Sequence, residues 1–386
     1  MSDPTIYILQ FYYRTVTFGL NNASEVKSNC DRAVDPAHGR QEMKIIDLRS
    51  DTVTLPTPAM RDAIYNADLG DDVYGEDPST NRIEEIAAAM VGKEDAILVS
   101  SGTMGNLISL LVHCRRGDEI ILGDQAHIFY YEAGGMSALG GIIPHTVTNQ
   151  NDGTMRLEDI ESAIRNDNIH YPRTRLICLE NTHNRCNGMP ITAEYTDSVR
   201  KLADRYGLSI HLDGARIFNA AVALGIPVPD LARNADSLSL CLSKGLSAPA
   251  GSIVCSSREF ISEARRVRKI LGGGMRQTGI IAAAGIVALQ EMTERLAEDH
   301  VNAGRLAAGI AGIPGLNVDV ENVRTNIVFF HLENNRITED EFMTRLERRG
   351  VKLLHLGSFQ FRMVTHYGIT GQDIDLVLDI LKDAVR

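Results

Sequence analysis

Three residues that could do chemistry follow short apolar runs, the places where an open α/β sheet meets its ligands. Lys244 comes after the uncharged run Ser237 to Leu242, in Leu242-Ser243-Lys244-Gly245. A lone lysine there must be paired, desolvated or reactive. Asp213 and Arg216 come after Ser209 to Leu212, in Asp213-Gly214-Ala215-Arg216. Upstream, Ala96 to Val99 leads into a small-residue turn, Ser100 to Asn106. The amides of that turn and the hydroxyls of Ser101 and Thr103, with Gly102 between them, can cradle a phosphate at a helix N-terminus. Each feature alone has an ordinary explanation, because Asp beside Arg is usually an ion pair and a Gly/Ser turn usually a cap. Together they match what pyridoxal phosphate requires: an amine for a Schiff base, a carboxylate that keeps the pyridine nitrogen protonated, and a phosphate site.

Two histidines join the set. His127 follows the run Glu119 to Leu122, where a flat imidazole could stack on a cofactor ring, and His183 follows Leu176 to Leu179 in Glu180-Asn181-Thr182-His183-Asn184. One histidine in a loop is more often structural than catalytic, but two at strand ends facing one cleft favour function.

The elements that must position these residues are legible as alternation. Apolar runs buried on both faces and separated by amphipathic stretches predict a mostly parallel sheet flanked by helices, an α/β fold. Helical spacing covers Glu194 to Tyr206, capped from Thr192 and ended by Gly207, and Thr278 to His300 after Gly272-Gly273-Gly274. Gly251 to Cys255 is a further strand candidate, antiparallel to the rest. Beyond Asp299 the order becomes helix, strand (Ile327 to Leu332), helix (Glu339 to Arg349), strand (Phe361 to Thr365) and helix (Asp373 to Val385), a small α+β lobe. The expected organisation is an extension over residues 1–42, a large domain over 43–298 and a small C-terminal domain over 299–386.

Composition narrows the class. With 386 residues, 44% hydrophobic and 23% charged, the chain can bury a large core and reads as soluble and globular. A net charge of -11 argues against nucleic acid or anionic lipid as partner. The apolar run Ile6 to Tyr13 is too short to span a bilayer and lacks a secretory signal's basic start. Scattered cysteines, with Cys178, Cys241 and Cys255 in apolar runs, suit buried reduced thiols and a cytoplasmic location. The constellation calls for no metal.

From about Met43 onward the chain resembles the threonine aldolases, in the β-eliminating lyase group of fold type I pyridoxal-phosphate enzymes. The resemblance rests on ordered motifs: Asp47-Leu48-Arg49-Ser50-Asp51-Thr52-Val53-Thr54, Asp72-Val73-Tyr74-Gly75-Glu76-Asp77-Pro78, Ser101-Gly102-Thr103-Met104-Gly105-Asn106, Glu180 to Asn184, His211 to Arg216, Leu242 to Gly245, Gly272-Gly273-Gly274-Met275-Arg276-Gln277 and Arg362-Met363-Val364-Thr365-His366. It departs at Arg185-Cys186-Asn187-Gly188, where a Gly-Lys-rich turn is expected. The resemblance implies a seven-stranded sheet and retro-aldol cleavage of L-threonine, L-allo-threonine and related β-hydroxy-α-amino acids to glycine and an aldehyde. It implies that Ser50, Arg216 and Arg362 hold the substrate carboxylate, that Lys244 carries the cofactor, that Asp213 faces its nitrogen, and that Gly102 and Thr103 bind its phosphate. It also implies a homotetramer of catalytic dimers in which Lys269 and Arg276 reach the neighbouring site. His183, or a water it orients, is the expected base. Tyr131 lies four residues after His127, on the same helical face, and could bias the enzyme toward the L-allo form. A transaminase or β-elimination activity is the nearest alternative, and a non-catalytic cofactor-binding protein the more distant one.

Overall fold

The computed structural model describes residues 44–333 and 337–386, and the extension expected over residues 1–42 lies outside them. Among the described residues the strands are β1 (Ile46–Asp47), β2 (Asp95–Val99), β3 (Glu119–Gly123), β4 (Ile143–Val147), β5 (Thr174–Glu180), β6 (Ser209–Asp213), β7 (Ser237–Cys241), β8 (Ser252–Ser256), β9 (Leu316–Asn317), β10 (Ile327–Leu332), β11 (Val351–Lys352), β12 (Leu354–Gly357) and β13 (Gln360–Val364).

The main sheet has seven strands in the order β2-β8-β7-β6-β5-β3-β4. Neighbours from β7 through β4 pair in parallel, and β8 runs antiparallel to both β2 and β7. Both faces are covered, so the interior strands read as unbroken apolar runs such as Ile120-Ile121-Leu122. Pro144 sits on β4, at the sheet edge, where a missing N–H costs no ladder bond.

Register decides where the chemistry lies. Glu180 pairs with Asp213, and Asp213 with Ser239, so β5 and β6 end level and β7 runs on past them to Cys241 at the same edge. The loops carrying His183, Arg216 and Lys244 therefore leave the sheet side by side. Gly214 permits this closeness: a Cβ there would stand 2.9 Å from the Ser239 carbonyl oxygen.

The helix expected over Glu194 to Tyr206 spans Ala193–Tyr206, with the Thr192 side chain accepting from the Tyr195 amide and Gly207 closing it in the left-handed region. The single helix expected over Thr278 to His300 is two, Gly279–Glu291 and Leu296–Ala311. The break has a packing reason. Ala282, Ala284, Ala288 and Leu289 lie in the core beneath the main sheet, together with Leu296, whereas Ala303, Leu306, Ala307 and Ile310 belong to a second core. The chain must turn to serve both.

That second core fills a four-stranded antiparallel sheet, β12-β13-β10-β9, and its helices. Ile46 and Leu48 belong to it: β1 pairs in parallel with β11, and the Val364 amide donates to the Leu48 carbonyl at 2.8 Å. On β13, alternation buries Phe361 and Met363 in this core, with Arg362 between them. Phe361 packs its ring 5.5 Å from Phe330 and 5.1 Å from Phe342. No helix among the described residues is long and apolar enough to cross a membrane.

Phe361→Ala should cost about 3–5 kcal/mol of stability, because a fully buried ring is replaced by a cavity. Urea denaturation at neutral pH measures it, and a loss under about 1 kcal/mol would mean that the three-ring cluster does not hold β13 in place.

Candidate active site

A cavity of about 260 Å³ at the carboxyl edge of the main sheet is lined by Ser50, Thr52, His127, Tyr131, Asn184, Arg216, Lys244, Leu354 and Arg362. A larger groove of about 580 Å³ runs beside Met90, Phe218 and Pro229, but Glu294 is its one ionisable lining residue. Chemistry, not volume, singles out the smaller one.

The structure thus gathers Ser50, His127, Tyr131, Arg216, Lys244 and Arg362 from the expected set. Lys244 is anchored through its backbone, whose carbonyl accepts from Thr54 Oγ1 at 3.0 Å and from the Ser247 amide at 2.9 Å. Its Nζ makes no hydrogen bond to a described residue, so the amine is free within the cavity.

Arg216 and Arg362 form one wall. Arg216 is buried and bidentate on Asp51, with Nε to Oδ2 at 2.7 Å and Nη2 to Oδ1 at 2.6 Å. Burial by itself would raise the Asp51 carboxyl, but Arg216, aided by Lys244 and Arg362, holds it well below the usual range. Arg362 is less compensated. Burial and repulsion from Arg216 lower its guanidinium to about 10. Its Nη1 reaches Asn184 Oδ1 at 3.0 Å, its Nη2 reaches the Arg49 carbonyl at 3.1 Å, and its buried Nε has no partner. Arg216 Nη1 approaches the same Asn184 oxygen at 3.4 Å. Two guanidiniums converging on one neutral oxygen, with an N–H unmet, is an arrangement suited to a carboxylate.

Asp213 lies behind the cavity at the end of β6. Oδ2 accepts from Asn106 Nδ2 at 2.8 Å and Oδ1 from the Ala215 amide at 3.1 Å. Asn106 uses its full capacity, since Nδ2 also donates to Glu132 Oε1 at 2.8 Å while Oδ1 accepts from Ser239 Oγ at 2.6 Å and faces His211 Nε2 at 3.1 Å. That oxygen can only accept, so His211 Nε2 carries the proton, and neutral His211 Nδ1 accepts from Ser237 Oγ at 2.8 Å. Ser237 in turn accepts from His113 Nε2 at 2.8 Å. Burial, reinforced by mutual repulsion, pushes His211 down to about 3, and burial pushes His113 down to about 4, so both stay neutral. Every donor in this chain points toward Asp213 and Glu132. Burial works to raise the Asp213 carboxyl, but the charges of His127 and Lys244 and the Asn106 bond outweigh it and keep it ionised.

His127 Nδ1 meets Glu132 Oε1 at 2.8 Å, which leaves Nε2 without a bond to a described residue. Burial alone would lower this imidazole, but the Glu132 hydrogen bond and the Asp213 charge raise it above its ordinary value. Glu180 sets the rim by accepting from the His127 amide at 2.7 Å and from the Asn184 amide at 2.8 Å.

Six expected residues fall elsewhere. His183 does not line the cavity: a bridge to Met189 turns its ring inward, where both nitrogens are buried without a partner and Nε2 is 3.9 Å from Glu180. Asn184 takes the rim position instead. Ser101, Gly102 and Thr103 open the helix Gly102–His113, with Ser101 Oγ accepting from the Met104 amide. A Cβ at Gly102 would stand 2.9 Å from Cys241 Sγ, so this helix start lies against the strand that leads to Lys244. Arg276 pairs with Asp71 at 3.0 Å, and neither it nor Lys269 lines the cavity of its own chain. His127, Glu132 and Asp213 also offer three ligand atoms within 4.8 Å, but His127–Glu132 and Asn106–Asp213 hydrogen bonds already organise that group.

Sequence reasoning passed over Asp51, Asn106, Asn184 and Glu132. The first three stand inside motifs quoted for their neighbours, and Glu132 carries no local signal.

A free lysine, a buried aspartate and paired guanidiniums at the carboxyl edge of a mostly parallel sheet define a fold type I pyridoxal-phosphate scaffold. The β-eliminating lyase family model matches residues 47–334. Low-specificity L-threonine aldolase 1 of Arabidopsis thaliana is 50% identical over 347 residues, covering 89% of this chain and 97% of that protein. Low specificity L-threonine aldolase of Escherichia coli K12 is 43% identical over 331 residues, covering 86% and 96%. The solved threonine aldolase of Leishmania major superposes with a TM-score of 0.75 at 21% identity, covering 88% of this chain and 99% of that one. The chain belongs to the β-eliminating lyase family.

Asp51→Asn should cost about 3–5 kcal/mol at neutral pH, since it leaves Arg216 buried without its counter-charge. The Asp51 pKa is depressed on folding, so its contribution is complete above the unfolded value of about 4 and is lost as pH falls toward the folded value. The stability gap between parent and variant should therefore narrow below about pH 4, as read by urea titrations across pH; a gap that stays constant would show that the pair's charge is not what matters.

Proposed function

We propose that this chain is a pyridoxal-phosphate-dependent threonine aldolase, a lyase that splits L-threonine, L-allo-threonine and related β-hydroxy-α-amino acids into glycine and an aldehyde. The observation that carries this reading is the convergence of Arg216 and Arg362 on one point of the cavity that Lys244 enters. The residues fit the cofactor by their chemistry: an unbonded amine on Lys244, an ionised carboxylate on Asp213, and a helix start at Ser101 to Thr103 beside the lysine's strand. When bound, the cofactor supplies the sink for the electron pair of the broken bond.

The protein's own contribution is orientation. Arg362 and Arg216, with Ser50 beside them, would grip the substrate carboxylate and so select which bond to Cα is broken. Asp213, held by the Asn106 hydrogen bond, would face the cofactor's ring nitrogen and favour its protonated form. His127 lines the cavity and, in its neutral form, would take the β-hydroxyl proton on Nε2, with Glu132 steadying the imidazole through Nδ1. His183, behind the wall, acts on that proton only through a water. Tyr131, whose ring centroid is 5.5 Å from that of His127, stands where it could favour the L-allo hydroxyl.

Assembly and setting are part of the same reading. Leu69, Val73, Tyr74 and Ile280 are exposed around the helix start that Arg276 precedes, which supports a homotetramer in which Lys269 and Arg276 serve a neighbour's site. Cys114, Cys178, Cys186, Cys241 and Cys255 are free and buried, which supports a reducing, cytoplasmic location; there the cleavage of threonine would serve glycine formation.

Both threonine diastereomers should yield glycine and acetaldehyde in equal amounts, and a keto acid product would favour the transaminase or elimination alternative. Lys244→Ala should abolish the visible absorption of the holoenzyme and nearly all turnover. His127→Asn should lower kcat about 10²- to 10⁴-fold. A larger loss from His183→Asn than from His127→Asn would return the proton to His183.

A further inference from the structure

We infer that Arg185 makes the cavity mouth selective for β-hydroxy-α-amino acids whose Cβ carries an anionic group, so that a β-hydroxyaspartate is a preferred substrate. The inference rests on the retro-aldol reading and deepens it by naming a substrate class.

Arg185 stands in the turn where this chain departs from the expected Gly-Lys-rich pattern. Its guanidinium lies 4.0 Å over the Tyr130 ring and 5.8 Å from the Tyr131 ring centroid. Nε donates to Gln125 Oε1 at 2.8 Å and Nη1 to the Tyr131 hydroxyl at 2.7 Å. Stacking and two hydrogen bonds hold the plane in place before any ligand arrives. Arg216, Arg268 and Arg276 each have a carboxylate partner. Arg185 has none within 4.0 Å among the described residues, and its Nη2 bonds to no described residue.

Its field enters the cavity, since Arg185 is among the cations that repel Arg362. Once a substrate carboxylate engages Arg362 and Arg216, Arg185, held on the lining residue Tyr131, still has no carboxylate partner within 4.0 Å among the described residues. Because the Tyr131 oxygen already accepts from Arg185, the phenolic proton is free to donate into the cavity that Tyr131 lines. A carboxylate on Cβ would thus meet a charged fork and a hydroxyl donor, whereas the methyl group of threonine uses neither. The reaction needs no further reagent. The Cα–Cβ bond breaks, its electron pair stays with Cα, the β-hydroxyl loses its proton to become the carbonyl of an oxoacid, and protonation at Cα yields glycine.

The test uses the full-length holoenzyme, with kcat/KM measured on L-threonine, on both diastereomers of L-β-hydroxyaspartate and on β-phenylserine, in the parent, Arg185→Gln and Arg185→Lys. Arg185→Gln should lower the ratio of β-hydroxyaspartate to threonine about ten-fold or more, chiefly through KM. Arg185→Lys should recover part of it, and added salt should depress the ratio in the parent. An unchanged ratio, whether or not both rates fall, would overturn the inference, as would a greater loss on β-phenylserine, which would make the rim an aromatic platform. If the parent fails to cleave threonine, the aldolase reading fails instead. Calorimetric binding of β-hydroxyaspartate and threonine to parent and Arg185→Gln then still decides the charge preference.

Discussion

A carboxylate and a guanidinium buried together hold the site in one piece. Asp51 comes from the segment before the main sheet and Arg216 from the end of β6, and the two meet in a bidentate pair with almost no exposure. Such a pair stabilises only if its geometry is good and its remaining donors are met. Here they are: Asn326, next to β10, reaches Asp51 Oδ2 at 3.4 Å, and Arg216 turns its remaining Nη toward Asn184. The opening segment, the main sheet and the C-terminal sheet therefore share one electrostatic centre. Arg362 sits beside the pair without a counter-ion of its own, where repulsion from Arg216 exceeds the attraction of Asp51. A ligand carboxylate completes a balance that the folded chain leaves slightly positive.

A second constraint operates beneath the cavity. Asp213 stays ionised in a buried position because the charges of His127 and Lys244 face it and a line of neutral donors ends on it. Histidines at His113 and His211 suit this role better than lysines would, since burial strips their charge while leaving each ring one donor and one acceptor. The direction of every proton in the line follows from the fact that Asn106 must donate to two carboxylates. Glu132 links the same amide to His127, so the group beneath the site and the imidazole beside it are set by a single side chain.

The rim obeys different physics. It is built from loops after β3 and β5, pinned by backbone donors to Glu180 and by a cation lying on aromatic faces rather than by core packing. Loops of this kind vary more readily than strand ends, which is where substrate choice can differ while the bond-breaking apparatus stays the same.

Local sequence determined the elements with period and caps: the apolar runs of the main sheet, the helix between Thr192 and Gly207, the antiparallel strand near Cys255, and the strand-end positions of Lys244, Asp213 and Arg216. These follow from burial on two faces and from backbone groups that neighbours in sequence satisfy. The helix break near Met292 was not legible, because each half is a good helix and only the presence of two cores forces the turn. Nor could the sequence tell that His183 turns away while Asn184 faces the cavity, since adjacent residues differ only in which side of a bridge they take. The partnership of Asp51 with Arg216, and of Asn106 with Asp213, joins residues more than a hundred positions apart. Charges at that separation are brought together only by sheet register and lobe packing, so tertiary structure decided them.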